Sequence, residues 1–385
     1  MKEIDLFIFI DSYGFELLKK TGSLHPKLKF QKPVKMQFGY SSTAIPSILT
    51  GELPSTHKQF TFFYHLKNSK STMFSFFDSW MFKIIPQFIS GRRRFRVLLS
   101  KFFKKKFKIN GYFDLYSVPF NKLKYFEYSE VNDLFDKNAF ADCKNLKDIL
   151  IEEKVNHFIS DWRLSEEENF NELIYQLKSK SNEFIFAYFA GLDGVQHMHT
   201  KNSIETEKKV DYYKRKLDKI FDILDNNYKD YRVAIFSDHG MTTLKQTVDI
   251  QKELRETRLK EPEDYISFLD STMARFWYYN ENSKQVIRQK LDNSPYGHFL
   301  SEKEMKEMGI LFDDARYGED IFLLSPGVQI APSDMGNDAL PGMHGYSPKD
   351  KDSDAIWLSN YEPKNPPVEV KDIFNCMLER IKEQD

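Results

Sequence analysis

Residues 4–14 read IDLFIFIDSYG: an apolar run that ends in an acid, Asp11, followed by a Ser-Tyr-Gly turn. Two further stretches are built the same way. Residues 184–190 (FIFAYFA) run into Gly191-Leu192-Asp193, and residues 232–237 (RVAIFS) run into Asp238-His239-Gly240. Runs this short and this continuously apolar suit strands covered on both faces, as in a parallel sheet flanked by helices. Helical spacing fills the intervals, at 144–155, 165–180 and about 205–226, where Val210, Tyr213, Leu217, Ile220, Phe221 and Leu224 recur on one stripe. Strands alternating with helices predict an α/β fold with a doubly wound, mostly parallel sheet and helices on both faces. Such folds collect functional groups at the carboxyl ends of the strands, and all three acids fall there.

The chain of 385 residues is long enough for one large domain with insertions. Two segments read as caps on a single catalytic domain spanning 1–385: residues 60–135, rich in aromatic and basic side chains, and residues 255–340, which mix β-like runs (ARFWYYN, DIFLLS) with turns. The 56 basic and 57 acidic residues leave a formal charge of −1, so no global field points to nucleic acid or membrane. Cys143 and Cys376 have no Cys or His at metal-ligand spacing and read as ordinary thiols of a reducing compartment. The N-terminus lacks the pattern of a secretory signal, and no run reaches the roughly 18–20 apolar residues of a spanning helix. A cytoplasmic protein is the expectation.

The chemistry is carried by a conjunction. Asp193 and His197 are four apart, which places them on one side of a helical turn. Asp238-His239 follows a strand, and His344 sits between glycines in Pro341-Gly342-Met343-His344-Gly345-Tyr346. Each motif alone suits a helix cap, a surface turn or a plain loop. Together they are hard to read as accidents, because three of the nine histidines fall with acids at strand ends or in glycine-flanked turns. Mixed carboxylate and imidazole donors suit a zinc-type divalent ion, whereas an all-oxygen set would suit magnesium or calcium. Six ligands and one hydroxyl make two sites with positions open to substrate. The stretch Gly39-Tyr40-Ser41-Ser42-Thr43 offers three hydroxyls for that role.

In this order the motifs resemble the alkaline phosphatase superfamily, and within it the nucleotide pyrophosphatase/phosphodiesterase branch. That branch has a strand-end Asp, a nucleophile followed by Thr-Gly, then Asp-x-x-x-His, Ser-Asp-His-Gly-Met and Gly-x-His-Gly-Tyr. The chain reads Asp11, Ser41 with Thr50-Gly51, Asp193 and His197, Ser237 to Met241, and Gly342 to Tyr346. The resemblance implies a phosphodiesterase or pyrophosphatase with a phosphoseryl intermediate and two divalent ions, zinc or manganese. Asp193, His197 and His344 would hold one ion; Asp11, Asp238 and His239 would hold the other, with Ser41 as a further ligand and nucleophile. Family spacing also places Pro and His thirteen and sixteen residues after the nucleophile, which from Ser41 gives Pro54 and His57. Ser42 and Thr43 break that register and stand in reserve.

Two departures stand out. Phe62 occupies the position where the branch carries an Asn that holds a phosphate oxygen, so that role would pass to the Ser41 backbone N–H or a cap lysine. The usual Pro two after the nucleophile is Thr43. The substrate is therefore expected only as a class: a phosphate-ester small molecule, or an anionic glycan or lipid phosphate, with no nucleic acid. The rival readings are a phosphotransferase onto a lipid or glycan, a sulfatase, and a degenerate binding protein. A sulfatase needs x-Pro-x-Arg after its nucleophile, whereas positions 43 and 45 are Thr and Ile. The six retained ligands speak against a degenerate member.

Residues 81–110 contain ten Lys or Arg and no acid, interleaved with Phe, Ile and Leu. They predict a basic amphipathic helix, suited to peripheral contact with an anionic membrane or to gripping a polyanion. The plainer reading is a cap helix with its aromatic face on the core, because a lid over a phosphate site would be basic anyway. His25, His57, His65, His157, His199 and His298 read as structural or surface residues. Trp80, Trp162, Trp277 and Trp357 read as core or cap packing.

Overall fold

The computed structural model describes residues 2–67, 73–78 and 92–381. Its strands, in chain order, include β1 (Lys2–Ile10), β2 (Phe30–Val34), β3 (His157–Ile159), β4 (Phe184–Phe189), β5 (Tyr228–Phe236), β6 (Tyr265–Leu269), β7 (Met273–Tyr278), β8 (Gly297–Phe299), β9 (Asp320–Leu324) and β10 (Ala355–Ser359). Six of them form a central sheet in the order β2-β10-β5-β1-β4-β3. β1 pairs in parallel with both β4 and β5, and β3 with β4, while β10 runs antiparallel between β5 and β2. The mostly parallel α/β sheet expected from the three apolar runs is what forms.

Alternation along β1 shows why these runs are largely apolar, with the buried Asp5 paired to Arg232 of β5. Ile4, Leu6, Ile8 and Ile10 enter one core, with Leu17 and Leu18 of the Phe15–Thr21 helix, Phe170, Leu173 and Leu177 of the Glu166–Ser179 helix, and the 204–227 stripe. Phe7 and Phe9 enter the other, against Ile45, Ile48 and Leu49 of the Ser41–Thr50 helix and against Leu146 and Leu150. Side chains of successive strand residues point to opposite faces, so a strand covered twice is apolar on both faces. The long Ile204–Asn227 helix starts at Ser203, whose hydroxyl accepts the Thr206 N–H at 3.1 Å.

The order β4-β1-β5 is what positions the site. These three strands are adjacent and parallel, and neighbouring strands lie about 4.8 Å apart. Acids at their carboxyl ends therefore have to meet. A second, antiparallel sheet, β6-β7-β9-β8, stands over that edge. Its Ile266, Phe268 and Trp277 pack with Phe63, Phe74, Phe77, Phe103 and Phe126 of the earlier aromatic segment into one cluster. Trp357 and Trp277 are buried, Trp162 is half-buried, and Trp80 lies outside the described residues. Cys143 and Cys376 are free thiols, and burial pushes the Cys376 thiol up to about 12.

Candidate metal centre

Asp11 follows β1 directly and is 4% exposed. Its Oδ2 accepts the Tyr188 hydroxyl at 2.6 Å, while its Oδ1 is buried without any donor. Asp238 and His239 lie two and three residues past the end of β5 and are fully buried. The Ser12 and His239 backbone N–H groups both donate to Asp238 Oδ1, at 3.2 and 3.0 Å, and Oδ2 is left without a donor. Asp193 and His197 lie on the Gly191–His199 helix after β4, and the Asp193 Oδ1 is again without a donor. His344 follows the Gly342–Met343 strand, which pairs with Thr242–Thr243 beyond His239 and so brings the third imidazole to the same edge.

Two imidazoles have their orientation fixed from behind. His197 Nδ1 lies 2.8 Å from the Gly342 carbonyl and His239 Nδ1 lies 2.8 Å from the Gly240 carbonyl. A carbonyl only accepts, so the network assigns a proton to each Nδ1 and leaves a lone pair on each Nε2. His239 Nε2 faces Asp238 Oδ2 at 3.2 Å and Asp11 Oδ1 at 3.6 Å. His197 Nε2 faces Asp193 Oδ1 at 3.4 Å, and His344 Nε2 faces the same oxygen at 3.8 Å. His344 also stacks on His239, with centroids 3.7 Å apart. Lone pairs facing lone pairs across a buried gap are repulsive unless a cation lies between them. The donors fall into two groups within 4.8 Å, Asp193 with His197 and His344, and Asp11 with Asp193 and His239. Asp193 therefore reaches both groups.

The electrostatics carry the same sign. Burial, then Asp238 and then Asp193, hold the Asp11 carboxyl well above the usual carboxylate range. Burial first, with His239 and His197 behind it, holds His344 well below the usual histidine value. Each group resists the charge that an unpartnered site would force on it. The residues fit divalent-ion binding: they converge, and three carboxylate oxygens lack donors.

Ser41 opens the Ser41–Thr50 helix, and its Oγ lies 3.1 Å from His239 Nε2. Ser42 and Thr43 turn the other way, and both donate to the Phe60 carbonyl. The helix ends at Gly51, whose φ of 74° is left-handed and whose N–H bonds back to Ser47. Thr50 hydroxyl donates to the Pro46 carbonyl at 2.7 Å, and His57 Nε2 lies 3.0 Å from Ser47 Oγ. The Thr-Gly and His positions thus brace the helix from its far end and stay clear of the chemistry.

A cavity of about 400 Å³ opens in front of Ser41, walled by Tyr40, Phe62, Tyr116, Asp193, His197 and His344 among others. Among the described residues its lining includes Asp270 and Asp338 and no lysine or arginine. Phe62 stacks with Tyr128 and Tyr116, at 5.8 and 5.7 Å between centroids, and forms an aromatic wall. Tyr188 and Gln196 escaped the sequence reading. Gln196 Nε2 holds the Ser12 carbonyl at 2.7 Å, and the one signal for either was a polar group interrupting a buried run. The loops after β1 and β5 touch main chain to main chain: a Cβ on Gly14 would lie 2.5 Å from Gly240 Cα.

The family model for type I phosphodiesterase / nucleotide pyrophosphatase matches residues 6–347. Among solved structures, human ectonucleotide pyrophosphatase/phosphodiesterase 5 is similar with a TM-score of 0.66 at 13% identity, covering 98% of this chain and 95% of that one. An inactive variant of the murine counterpart, in complex with AMP, gives 0.65 at 13% identity over 99% and 95%. Another structure of the murine protein gives 0.63 at 14% identity over 98% and 95%. No curated protein matches the chain by sequence. At these identities the structural likeness concerns the fold.

Proposed function

The chain belongs to the type I phosphodiesterase / nucleotide pyrophosphatase family, and from that premise we propose that it cleaves small phosphodiesters or pyrophosphates through Ser41 at a centre for two zinc-type ions. Membership makes it a metal-dependent phosphoric ester hydrolase; the metals, the nucleophile and the covalent intermediate are the reading offered here. One observation carries it. Asp11 Oδ1, Asp193 Oδ1 and Asp238 Oδ2 are buried without a donor around His239 Nε2, which the Ser41 hydroxyl meets at 3.1 Å.

Asp193, His197 and His344 would hold one ion. Asp11, Asp238 and His239 would hold the other, with the Asp193 carboxylate close enough to reach it. When bound, the ions supply charge neutralisation for an attacking and a leaving oxygen and lower the pKa of a nearby hydroxyl. Ser41 Oγ forms the new bond to phosphorus and the ester oxygen opposite leaves. The resulting phosphoserine is then opened by water, with the Ser41 oxygen as leaving group. The Gly342 and Gly240 carbonyls keep His197 and His239 in the tautomer that presents Nε2.

The missing Asn at position 62 finds its substitute in the helix itself. Tyr40 carbonyl takes the N–H groups of Thr43 and Ala44, at 2.7 and 3.0 Å, so the Ser41 and Ser42 N–H groups are left at the start of a ten-residue helix. That is an anion cradle, and it supports phosphate oxygens without a basic side chain. The AMP bound in a fold neighbour favours nucleotide-derived diesters as the first panel to assay.

The test is metal content and turnover measured together. Ser41→Ala abolishes hydrolysis of a bis-aryl phosphate and keeps its zinc, and acid quench of the parent chain yields phosphoserine at residue 41. If Ser41→Ala remains active while Ser42→Ala does not, the nucleophile has been misassigned.

A further inference from the structure

The basic stretch around residues 81–110 divides here: residues 79–91 lie outside the described residues, while Arg93–Lys106 form a helix of 14 residues. Its inner face is Arg96, Ser100 and Phe103, all buried. Phe103 stacks with Phe77 at 5.2 Å, and the Arg96 guanidinium lies over the Phe120 ring, so this side is the cap packing that the plainer reading expects. The outer face is different. Leu98 is 67% exposed and Phe102, one turn later, 49%. Around them Arg94, Lys101 and Lys105 are exposed, and none has an acidic partner among the described residues. The basicity also cannot be a lid over phosphate, because no residue of this helix lines the cavity in front of Ser41.

We propose that the outer face of the Arg93–Lys106 helix docks on an anionic lipid bilayer, with Leu98 and Phe102 entering the headgroup region between the cations. The composition favours a bilayer over a folded acidic protein. Two large apolar side chains at i and i+4, ringed by cations, match a surface that is charged at its plane and apolar just beneath. Exposing both to water has a cost that a purely electrostatic partner would not recover. Among the described residues no helix is long and apolar enough to cross a membrane, so the contact is peripheral. The docking face is also tied to the cavity. Arg93 pairs with Asp114 at 2.6 Å, and Asp114 Oδ1 accepts the Tyr116 N–H at 3.1 Å. Tyr116 then stacks on Phe62 in the cavity wall. A bilayer holding this helix therefore holds the cavity mouth at a fixed attitude to lipid phosphates.

The experiment is co-sedimentation of the full chain with phosphatidylcholine vesicles, with and without phosphatidylserine, over a range of salt. Binding is expected only with phosphatidylserine and falls as salt rises. Changing Arg94, Lys101 and Lys105 together to Gln weakens it on the order of a hundredfold, and Leu98→Ser weakens it about tenfold. Both variants keep the parent melting temperature and hydrolysis of a soluble diester, because every altered side chain points to water. Equal binding to neutral vesicles, insensitivity to the triple change, or capture by heparin or RNA with no vesicle binding would each overturn the proposal. None of these outcomes bears on the Ser41 assignment.

Discussion

Asp11 and Asp270 are almost equally buried, at 4% and 2% exposure, yet their neighbourhoods are opposites. Asp270 takes the Nε of a fully buried Arg275 at 2.7 Å, and nearby Asp334 takes Lys122 Nζ at 2.8 Å and the Leu269 N–H at 2.8 Å. That cluster is closed: each carboxylate has a cation inside the protein. Burial raises the Asp270 carboxyl only to about 6, because Arg275 works against it. Around Asp11 the neighbours are Asp238, Asp193 and imidazole lone pairs, and among the described residues no lysine or arginine lines the cavity beside them. Burial does not distinguish the two places. The missing countercharge does, and it distinguishes a self-neutralised cluster from one whose Asp and His groups could hold metal.

The sharpest break of this contrast is at the centre itself. Ser41→Ala lowers kcat by on the order of 10⁴-fold or more, as loss of a covalent nucleophile does, while inductively coupled plasma analysis finds the metal retained. Next in size is the closed cluster. Arg275→Met strands the Asp270 charge and costs about 3–5 kcal/mol in urea unfolding, whereas the double change with Asp270→Leu recovers most of it. Were both changes neutral, the cap cluster would not be self-neutralised as described.

Zinc at a hundred times its dissociation constant stabilises the parent chain by about 2.7 kcal/mol. Asp193→Asn removes that gain, because its carboxylate serves both donor groups. In chelator the sign reverses for Asp11: Asp11→Asn relieves repulsion and stabilises the metal-free chain by about 1 kcal/mol. A destabilised metal-free Asp11→Asn would mean that the carboxylates are not in conflict.

His57 shows a third way of burying a polar group, as a neutral one. Its Nδ1 accepts the Gln59 N–H at 3.2 Å, so Nε2 carries the proton toward Ser47, and burial pushes the ring down to about 3. Between that value and the ordinary 6.5 the unfolded chain binds the extra proton. Its stabilisation is therefore complete above the ordinary value and is lost as pH falls, by about 1.4 kcal/mol for each unit. His57→Gln flattens that slope in urea titrations from neutral pH to about 4.

What the sequence made legible was local. Three apolar runs ending in acids sufficed for the parallel sheet, because a strand covered twice needs apolar side chains on both faces. Adjacency of β4, β1 and β5 was not legible, since strand order depends on pairings between distant residues. The same holds for the antiparallel sheet β6-β7-β9-β8, foreseen only as β-like runs in a cap. At the site, spacing put Asp193 and His197 on one helical side, but the reach of Asp193 toward both donor groups depends on where that helix docks. The turning of Ser42 and Thr43 toward the Phe60 carbonyl is likewise tertiary. Phe62 was noticed as a departure, and its stacking with Tyr116 and Tyr128 needed the cap to fold over it.

The meeting of Gly14 with Gly240 has a consequence of another kind. Because the loops after β1 and β5 rest backbone on backbone, the gap between Asp11 and Asp238 behaves like a machined clearance, set by parts that do not vary with side-chain choice. A bulkier residue at either position would shim the two loops apart and alter the bore of the centre. Walls built from side chains, such as Phe62 and Tyr116, can be exchanged without touching that gauge. A change in those walls can therefore reshape the cavity while the gap between the two acids keeps its dimensions.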